Sequence, residues 1–268
     1  MRTWILLLVA AVVALSAAGA GAYPTFSGPT GMVALPNAEV VPPGALVLAL
    51  DYQNQSGDVT LWPARAVYGI ADKTEVWAGY MRASASSDST SSWNVGAKYQ
   101  FATEPVQKIS LAVGGSWGKG DALSEDVTIT NLFVVASKNI ASRKAAEARI
   151  SAKASLGMLW ENVGSPIDQT LTEPFLGLEL YGKKGVSLAL DYRVKNSDFD
   201  AKAPFSAVVR MPLSQTRPLW AEAGFSNAAF MGLGGDSSSF FLGLGYRLAI
   251  PQAGGEGTSG TRTRPWGY

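Results

Sequence analysis

Residues 185–195, with the sequence GVSLALDYRVK, alternate strictly between two kinds of side chain. One parity is apolar and the other is small or charged, so that Asp191, Arg193 and Lys195 all fall on the same side. A period of two residues is typical of a β-strand with two unlike faces. The same pattern recurs at residues 44–52, 93–101, 108–118, 147–160 and 240–250. Each of these strands must therefore place one face in an apolar environment and the other in a polar one.

Weaker alternation fills the intervals and brings the total to about twelve strands of roughly ten residues, the length at which a tilted strand crosses a bilayer. The weaker strands are residues 65–70, 75–81, 127–136, 175–181, 205–211 and 219–226. Every second connection reads as a longer, polar loop, and these are residues 53–64, 82–92, 118–127, 161–174, 196–204 and 227–239. Short periplasmic turns and long external loops are typical of outer-membrane barrels. We predict an all-β fold, a single antiparallel up-and-down transmembrane β-barrel of about twelve strands, with ten or fourteen as alternatives.

The N-terminus reads as an export signal. Arg2 precedes an apolar run over residues 4–15, and Ala20-Gly21-Ala22 fits the cleavage rule. Hydrophobic residues make up 47% of the chain and charged residues 16%, with no second long apolar run. The predicted organisation is a signal peptide (1–22), a periplasmic lead-in or partial plug (23–43), an outer-membrane barrel (44–250) and a flexible tail (251–268). The predicted location is the outer membrane of a diderm bacterium, with membrane lipid and the barrel-assembly machinery as partners.

In a membrane the apolar parity faces lipid, because an Arg or Lys at mid-bilayer costs about 2–4 kcal/mol. The predicted lumen-lining residues are Arg65, Lys98, Glu147, Arg149, Lys153, Glu179, Asp191, Arg193, Lys195, Arg210, Glu222 and Arg247. Bases outnumber acids in this set, which favours anions. Aromatic residues near strand ends predict girdles at the headgroup level. The predicted girdle residues are Tyr52, Trp77, Trp93, Trp117, Trp160, Tyr192 and Trp220.

The composition excludes several chemistries. A net charge of +1 argues against nucleic-acid binding. The chain has no cysteine and no histidine, so it has neither a Ser-His pair nor a thiolate nucleophile. The remaining acid–base candidates are Glu147, Glu179, Asp191 and Glu222, and no spacing brings two of them together. We expect no enzyme activity, no cofactor and no metal site.

The segment before the first strand resembles a known family. Its residues are Gly28-Pro29-Thr30-Gly31-Met32, Leu35-Pro36-Asn37-Ala38-Glu39 and Pro42-Pro43-Gly44. They resemble the N-terminal segment of YjbH-like outer-membrane barrels, and the strand–turn–strand of residues 68–80 also looks like that family. The resemblance, mainly over residues 24–80, implies an outer-membrane barrel and a link to exopolysaccharide export. It implies no catalytic residues.

Three functions follow from these patterns. The first is a porin-like diffusion channel for small solutes or saccharides, favoured because many lumen positions are Gly, Ala or Ser and leave room for water. The second is a non-conducting structural or accessory barrel, linked to exopolysaccharide export, whose lumen is filled by ion pairs. The third is a soluble exported β-sandwich that binds ligands through its loops.

Overall fold

Twelve antiparallel strands form one sheet in the part of the chain that the computed structural model describes. The described residues are 23–55, 59–85, 88–122, 125–140, 150–164, 168–182, 185–195, 202–214, 218–228 and 234–249. The strands are β1 (Ala45–Gln55), β2 (Val59–Ala71), β3 (Thr74–Ala85), β4 (Asp88–Ala102), β5 (Ser110–Ala122), β6 (Glu125–Asn139), β7 (Ile150–Val163), β8 (Gln169–Gly182), β9 (Ser187–Arg193), β10 (Phe205–Pro212), β11 (Leu219–Ala228) and β12 (Gly234–Ala249). The predicted signal peptide and the predicted C-terminal tail lie outside the described residues.

The sheet closes on itself. Each strand pairs with its neighbours in sequence, and β1 pairs with β12 from Ala45↔Ala249 to Asn54↔Phe240. Closure gives every strand two partners and removes the exposed edges of an open sheet. The predicted twelve-stranded antiparallel barrel is confirmed. The β-sandwich alternative is wrong, because a sandwich consists of two separate sheets packed face to face.

Alternation along each strand separates the two faces of the barrel. On β9, Ser187, Ala189, Asp191 and Arg193 are buried, whereas Leu188 and the other residues of the second parity are half-buried. The exposed outer face carries large apolar side chains, among them Leu50, Val95, Leu132, Leu156, Leu176 and Leu244. The parity that carries the charges therefore points into the barrel.

Most strands are longer than predicted, and the predicted loops 53–64, 82–92, 118–127 and 161–174 are wrong because most of their residues belong to strands. The predicted loop 196–204 does lie between β9 and β10. Only residues 56–58 separate β1 from β2, and only residues 86–87 separate β3 from β4. The polar residues Asp88 to Ser91 were expected in a loop, but they pair with Arg82 to Ala85 as a continuation of β4. Beyond an apolar band a strand needs only backbone partners, so polar side chains do not end it.

The sheet has two ends, which we call the terminal end, where β1 begins and β12 ends, and the opposite end. A single helical turn, α1 (Glu104–Gln107), lies at the terminal end between β4 and β5. Within the described ranges, no helix has the length and apolarity needed to cross a membrane.

The aromatic residues predicted for girdles divide into two groups. Tyr52, Trp93 and Trp117 are exposed on the outer face. Trp160 and Tyr192 are half-buried. The girdle prediction for Trp77 and Trp220 is wrong, because both rings are buried on the inner face. Each shares its parity with a buried inner acid, Trp77 with Glu75 and Trp220 with Glu222.

A substitution on the outer face tests whether lipid or water covers it. Leu156 is 63% exposed in the middle of β7. If lipid covers this face, Leu156→Arg lowers the free energy of unfolding by about 2–4 kcal/mol, because the charge is placed at the depth of the hydrocarbon. Asn54→Arg, on the same face at the end of β1, is the control and costs at most about 1 kcal/mol. Denaturant unfolding in phospholipid bilayers measures both values, and equal costs would place the outer face in water.

Candidate functional site in the barrel interior

Residues 23–44, which we call the N-terminal segment, lie inside the barrel. The segment enters and leaves through the terminal end. Tyr23 packs edge-on against Trp220 with ring centroids 5.3 Å apart, and the Gly44 amide donates to the Gly69 carbonyl at 2.8 Å. Between these points Met32 and Val41 are almost fully buried. The segment has no long helix or strand among its residues, so its backbone groups need partners from the barrel wall.

Asp191 of β9 supplies one such partner. Its Oδ2 atom accepts backbone hydrogen bonds from Val33 at 2.9 Å, Ala34 at 2.7 Å and Leu35 at 3.2 Å. Three consecutive N–H groups converging on one carboxylate oxygen form a charge-assisted anchor. Asp191 is 2% exposed, so these bonds replace the water that an ionised carboxylate would otherwise need.

Glu75 of β3 forms a second anchor on another part of the wall. Its carboxylate accepts from the Thr30 amide at 2.8 Å, the Thr30 hydroxyl at 2.6 Å and the Val41 amide at 2.8 Å. Lys98 of β4 lies 2.9 Å from the same carboxylate and donates to the Thr30 carbonyl at 2.8 Å. The ion pair therefore holds both limbs of the N-terminal segment.

A third cluster joins β1, β2, β10 and β11. Arg65 pairs with Asp51, and also with Glu222 at 3.2 Å. Glu222 in turn pairs with Arg210 at 2.9 Å. Arg210 donates to the Met32 carbonyl, and its guanidinium lies 4.5 Å from the centre of the Tyr23 ring. These cations bind the N-terminal segment while their charges are balanced by barrel acids.

Burial in this cluster also changes the pKa of Tyr23 in the N-terminal segment. The loss of solvent raises the pKa of the Tyr23 phenol above its usual value, against the opposing effect of Arg210. Tyr23 therefore remains a neutral phenol packed on a cation at physiological pH.

Further contacts complete the ring around the N-terminal segment. Lys153 of β7 lies 2.5 Å from the Glu39 carboxylate. Asn37 donates to Glu179 of β8 at 2.9 Å, and the Ala38 amide donates to the Ser137 hydroxyl of β6 at 2.9 Å. Polar contacts thus connect the segment to β2, β3, β4, β6, β7, β8, β9 and β10.

Small residues on the inner face do not leave open space, contrary to the sequence-based expectation. A Cβ atom on Gly96 would lie 2.2 Å from the ring of its cross-strand partner Trp77. Similar pairs occur around the barrel, in which an inward aromatic ring covers the glycine opposite it on the next strand. They are Phe133 over Gly114, Phe175 over Gly157, Trp220 over Gly245 and Phe241 over Gly224. The glycines make room for rings rather than for water.

The structure places the predicted lumen residues unevenly. Arg65, Lys98, Lys153, Glu179, Asp191, Arg193, Arg210 and Glu222 are buried on the inner face. Arg247 is half-buried on that face. The prediction for Lys195 is wrong, because β9 ends at Arg193 and Lys195 is exposed beyond it. Glu147 and Arg149 lie outside the described residues.

The predicted lumen set omitted four buried acids, and this omission changes the charge balance. They are Asp51, Glu75, Glu161 and Glu173. The buried charged residues of the described strands comprise seven acids and five bases, so the predicted excess of positive charge is wrong. Asp51 and Glu75 share a parity with inward neighbours, which the sequence could have shown. Glu161 and Glu173 belong to residues 161–174, which the sequence predicts as a loop.

Three of the four candidate acid–base residues make contacts that stabilise the interior, and the fourth, Glu147, lies outside the described residues. Glu179 accepts from Asn37 and from the Tyr181 hydroxyl at 2.7 Å, Asp191 binds backbone amides and Glu222 binds two arginines. Among the described residues no group of three or more acidic side chains could hold a metal ion. The contacts of these acids therefore serve to hold the N-terminal segment and the neighbouring strands together.

Comparison with solved structures shows which known proteins have a similar fold. No family model matches the sequence, and no curated protein matches it. The chain is similar to the COG4313 outer-membrane channel from Pseudomonas putida F1, with 14% identity, a TM-score of 0.53, and coverage of 79% of this chain and 98% of that one. It is also similar to the KdgM porin in complex with disordered oligogalacturonate, with 11% identity, a TM-score of 0.50, and coverage of 75% and 98%. At these identities the likeness concerns the fold, which is that of outer-membrane β-barrels.

The Asp191 anchor can be tested directly. Asp191→Asn keeps the shape of the side chain but removes the charge that strengthens three hydrogen bonds. We expect amide hydrogen exchange at Val33, Ala34 and Leu35 to accelerate by about tenfold or more, as the loss of charge-assisted bonds implies. Asp126→Asn, at an exposed position on β6, is the matched control and should change nothing in the N-terminal segment. Unchanged protection in Asp191→Asn would show that the apolar contacts alone hold the segment.

Proposed function

We propose that the chain is an outer-membrane channel of the porin type whose pore is closed at rest by its own N-terminal segment. The observation that carries this proposal is the occupation of a closed barrel by a segment that contacts the wall through charged anchors and through apolar packing. Hydrogen bonds to charged groups contribute about 1.5–3 kcal/mol each in net terms. The twelve strands pair with one another and close the sheet by themselves, so the segment can leave the barrel without breaking the pairing of the strands.

The outer face supports the membrane location. Large apolar side chains are exposed around the sheet, whereas twelve charged side chains of the strands are buried inside. Outward charges such as Arg82, Lys119 and Asp126 lie near the ends of their strands. A soluble barrel would reverse this arrangement, because charges in water cost nothing and exposed leucines gain nothing. The shared fold with outer-membrane channels and porins is consistent with the proposal.

The route of opening follows from the path of the N-terminal segment. Both of its ends lie at the terminal end of the barrel, where Tyr23 contacts Trp220 and Gly44 contacts Gly69. Signal-peptide cleavage near Ala22 would leave the new N-terminus at that end. Residues 24–41 can therefore withdraw as a loop toward the periplasm, while Gly44 keeps its attachment to β2.

Small solutes or saccharides are the proposed cargo. The KdgM porin, which is similar to this chain in fold, forms a complex with disordered oligogalacturonate, and this supports saccharides as the class of solute. The inner face of this chain carries both acids and bases and is not selective for one charge by composition.

Conductance tests the proposal. Purified wild-type protein in a planar bilayer should remain closed, with brief openings at most. Replacement of residues 24–41 by a flexible Gly/Ser linker of equal length should give stable stepwise conductance. The linker lacks the apolar side chains, such as Met32 and Leu35, that pack in the interior. It also has no fixed conformation that would hold its amides against Asp191 and Glu75. Migration on a gel with and without boiling verifies that both proteins are folded. A folded linker variant without conductance would contradict a pore.

A disulfide that holds the N-terminal segment in the barrel, and that reductant can break, provides the matched control. The chain has no cysteine, and the Ala38 amide lies 2.9 Å from the Ser137 hydroxyl. Ala38→Cys combined with Ser137→Cys should form a disulfide between the N-terminal segment and β6. Oxidised protein should show no openings, and reductant should restore them in the same sample.

A second candidate is the non-conducting accessory barrel. It is favoured by the density of contacts around the N-terminal segment and by the resemblance of residues 28–44 to YjbH-like proteins, which would link the chain to exopolysaccharide export. Silence of both the wild type and the folded linker variant would support this candidate over the channel.

The charge balance makes a prediction for the opened pore. The seven buried acids exceed the five buried bases, and half-buried Arg247 narrows the difference. We expect the linker variant to show no anion preference and a permeability ratio of K⁺ to Cl⁻ at or slightly above one. The reversal potential in a KCl gradient measures this ratio, and the preference should vanish near 1 M salt, where charges are screened. A clear anion preference would mean that the buried acids do not face the conducting path.

A further inference from the structure

Met32 lies midway along the N-terminal segment, and its side chain is fully buried, with 0% exposure. Its sulfur atom packs on Gly177 of β8, where a Cβ atom added to that glycine would overlap it. Gly177 is the cross-strand partner of Asp191, which binds the next three amides of the segment. The thioether therefore lies beside the Asp191 anchor and leaves no room between itself and β8.

The backbone of Met32 makes a second contact between the segment and the wall. Its carbonyl accepts a hydrogen bond from Arg210 of β10, and its amide donates to the Leu35 carbonyl at 2.9 Å. Val33, whose amide binds Asp191, follows directly in the chain. A change in the packing of the Met32 side chain therefore affects two anchors at once, one on β9 and one on β10.

Oxidation converts a methionine thioether from an apolar group into a polar one. The sulfur gives an electron pair to one oxygen of hydrogen peroxide, a sulfur–oxygen bond forms, and the oxygen–oxygen bond breaks. The second oxygen keeps both protons of the peroxide and leaves as water. The sulfur is thus oxidised to the sulfoxide while the peroxide is reduced, and the side chain gains one oxygen atom.

The sulfoxide does not fit the position that Met32 occupies. The sulfur already contacts the Gly177 backbone, and the rest of the side chain is fully enclosed. Overpacking of such a position is destabilising, because the neighbouring groups have to move. The added oxygen is also an acceptor beside the Asp191 carboxylate, and burial strengthens the repulsion between two acceptors. The oxidised segment is therefore held more weakly than the reduced one.

The complete burial of Met32 limits when an oxidant reaches it. Met158 and Met211 are exposed on the outer face, and Met81 is half-buried. A water-soluble oxidant reaches Met32 only when the N-terminal segment moves out of its place in the barrel. Withdrawal toward the periplasm would bring the thioether into water, so that the closed barrel protects it and the open barrel exposes it.

We propose that Met32 is an oxidation site through which peroxides in the periplasm keep the channel open. The inference rests on the proposed function, because Met32 becomes accessible only when the N-terminal segment withdraws. Oxidation of the withdrawn segment prevents Met32 from packing on Gly177 again, so one chemical step converts a brief opening into a lasting one. Reduction by a methionine sulfoxide reductase restores the apolar side chain and lets the segment return.

Peptide mass spectrometry after treatment with hydrogen peroxide tests the access to Met32. We expect Met32 in the wild-type barrel to react more slowly than Met158 and Met211, which are exposed. Asp191→Asn weakens the neighbouring anchor and should accelerate oxidation of Met32 by about tenfold, as for a reaction that requires local opening. Asp126→Asn is the matched control and should leave the rate as it is in the wild type. An unchanged rate at Met32 in Asp191→Asn would overturn the proposal, because peroxide would then reach the thioether inside the closed barrel.

Hydrogen exchange and conductance test the consequence of the oxidation. Wild-type protein oxidised at Met32 should exchange the amides of residues 33–35 at least about tenfold faster and should conduct stably, and the reductase should reverse both changes. Met32→Leu has a side chain of similar volume that peroxide does not oxidise. Peroxide should therefore leave its exchange rates and its conductance as they were before treatment. Met81→Leu is the matched control and should respond to peroxide as the wild type does.

Full conversion of Met32 with unchanged hydrogen exchange would overturn the proposal, and so would an equal response of Met32→Leu to peroxide. Hydrogen exchange registers release of the segment whether or not the barrel conducts. A silent, folded linker variant would therefore contradict the channel and leave the oxidation-driven release in place. A conducting linker variant together with a closed barrel after oxidation of Met32 would contradict the oxidation site alone.

Discussion

The confinement of buried charge to the inner face of the strands is the constraint on which the rest of this structure depends. All of the buried acids and bases of the described strands share the inward parity, and large apolar side chains occupy the other. A slip of one residue in any pair would move a charge such as Asp191 or Lys98 to the outer face. Register is therefore determined strongly at each of the pairs around the barrel, including the closing pair of β1 and β12.

The same constraint creates a problem in the interior. Charges removed from water need partners, and the barrel provides only some of them from its own strands. Arg65, Arg210 and Glu222 compensate one another across β2, β10 and β11. Among the described residues no base pairs with the Asp191 carboxylate, and the backbone amides of Val33, Ala34 and Leu35 take that role. Backbone amides of the N-terminal segment thus neutralise buried acids of the wall, and the same acids accept the hydrogen bonds that these amides require.

Side-chain packing fills the remaining volume of the barrel interior. A twelve-stranded barrel is too wide to be filled by side chains of average size. Aromatic rings such as Trp77 and Phe175 extend over glycines on the neighbouring strand, and Met32 of the N-terminal segment packs against Gly177. The interior thus combines charged anchors with aromatic rings and with the apolar side chains of the N-terminal segment.

The sequence by itself determined the class of fold, because alternation with a period of two residues is local and can be read strand by strand. It placed Arg65, Lys98, Asp191 and Glu222 on the inner face, and the same parity would have turned Trp77 and Trp220 inward. It could not show whether Gly96 or Gly157 leaves a space, because that depends on the residue opposite on the next strand, and register is a property of the paired sheet. Nor could it position the N-terminal segment, whose contacts join residues as distant as Val33 and Asp191, 158 positions apart. Only the closed barrel decided these points, because closure brings distant strands around one volume and forces their buried charges to find partners within it.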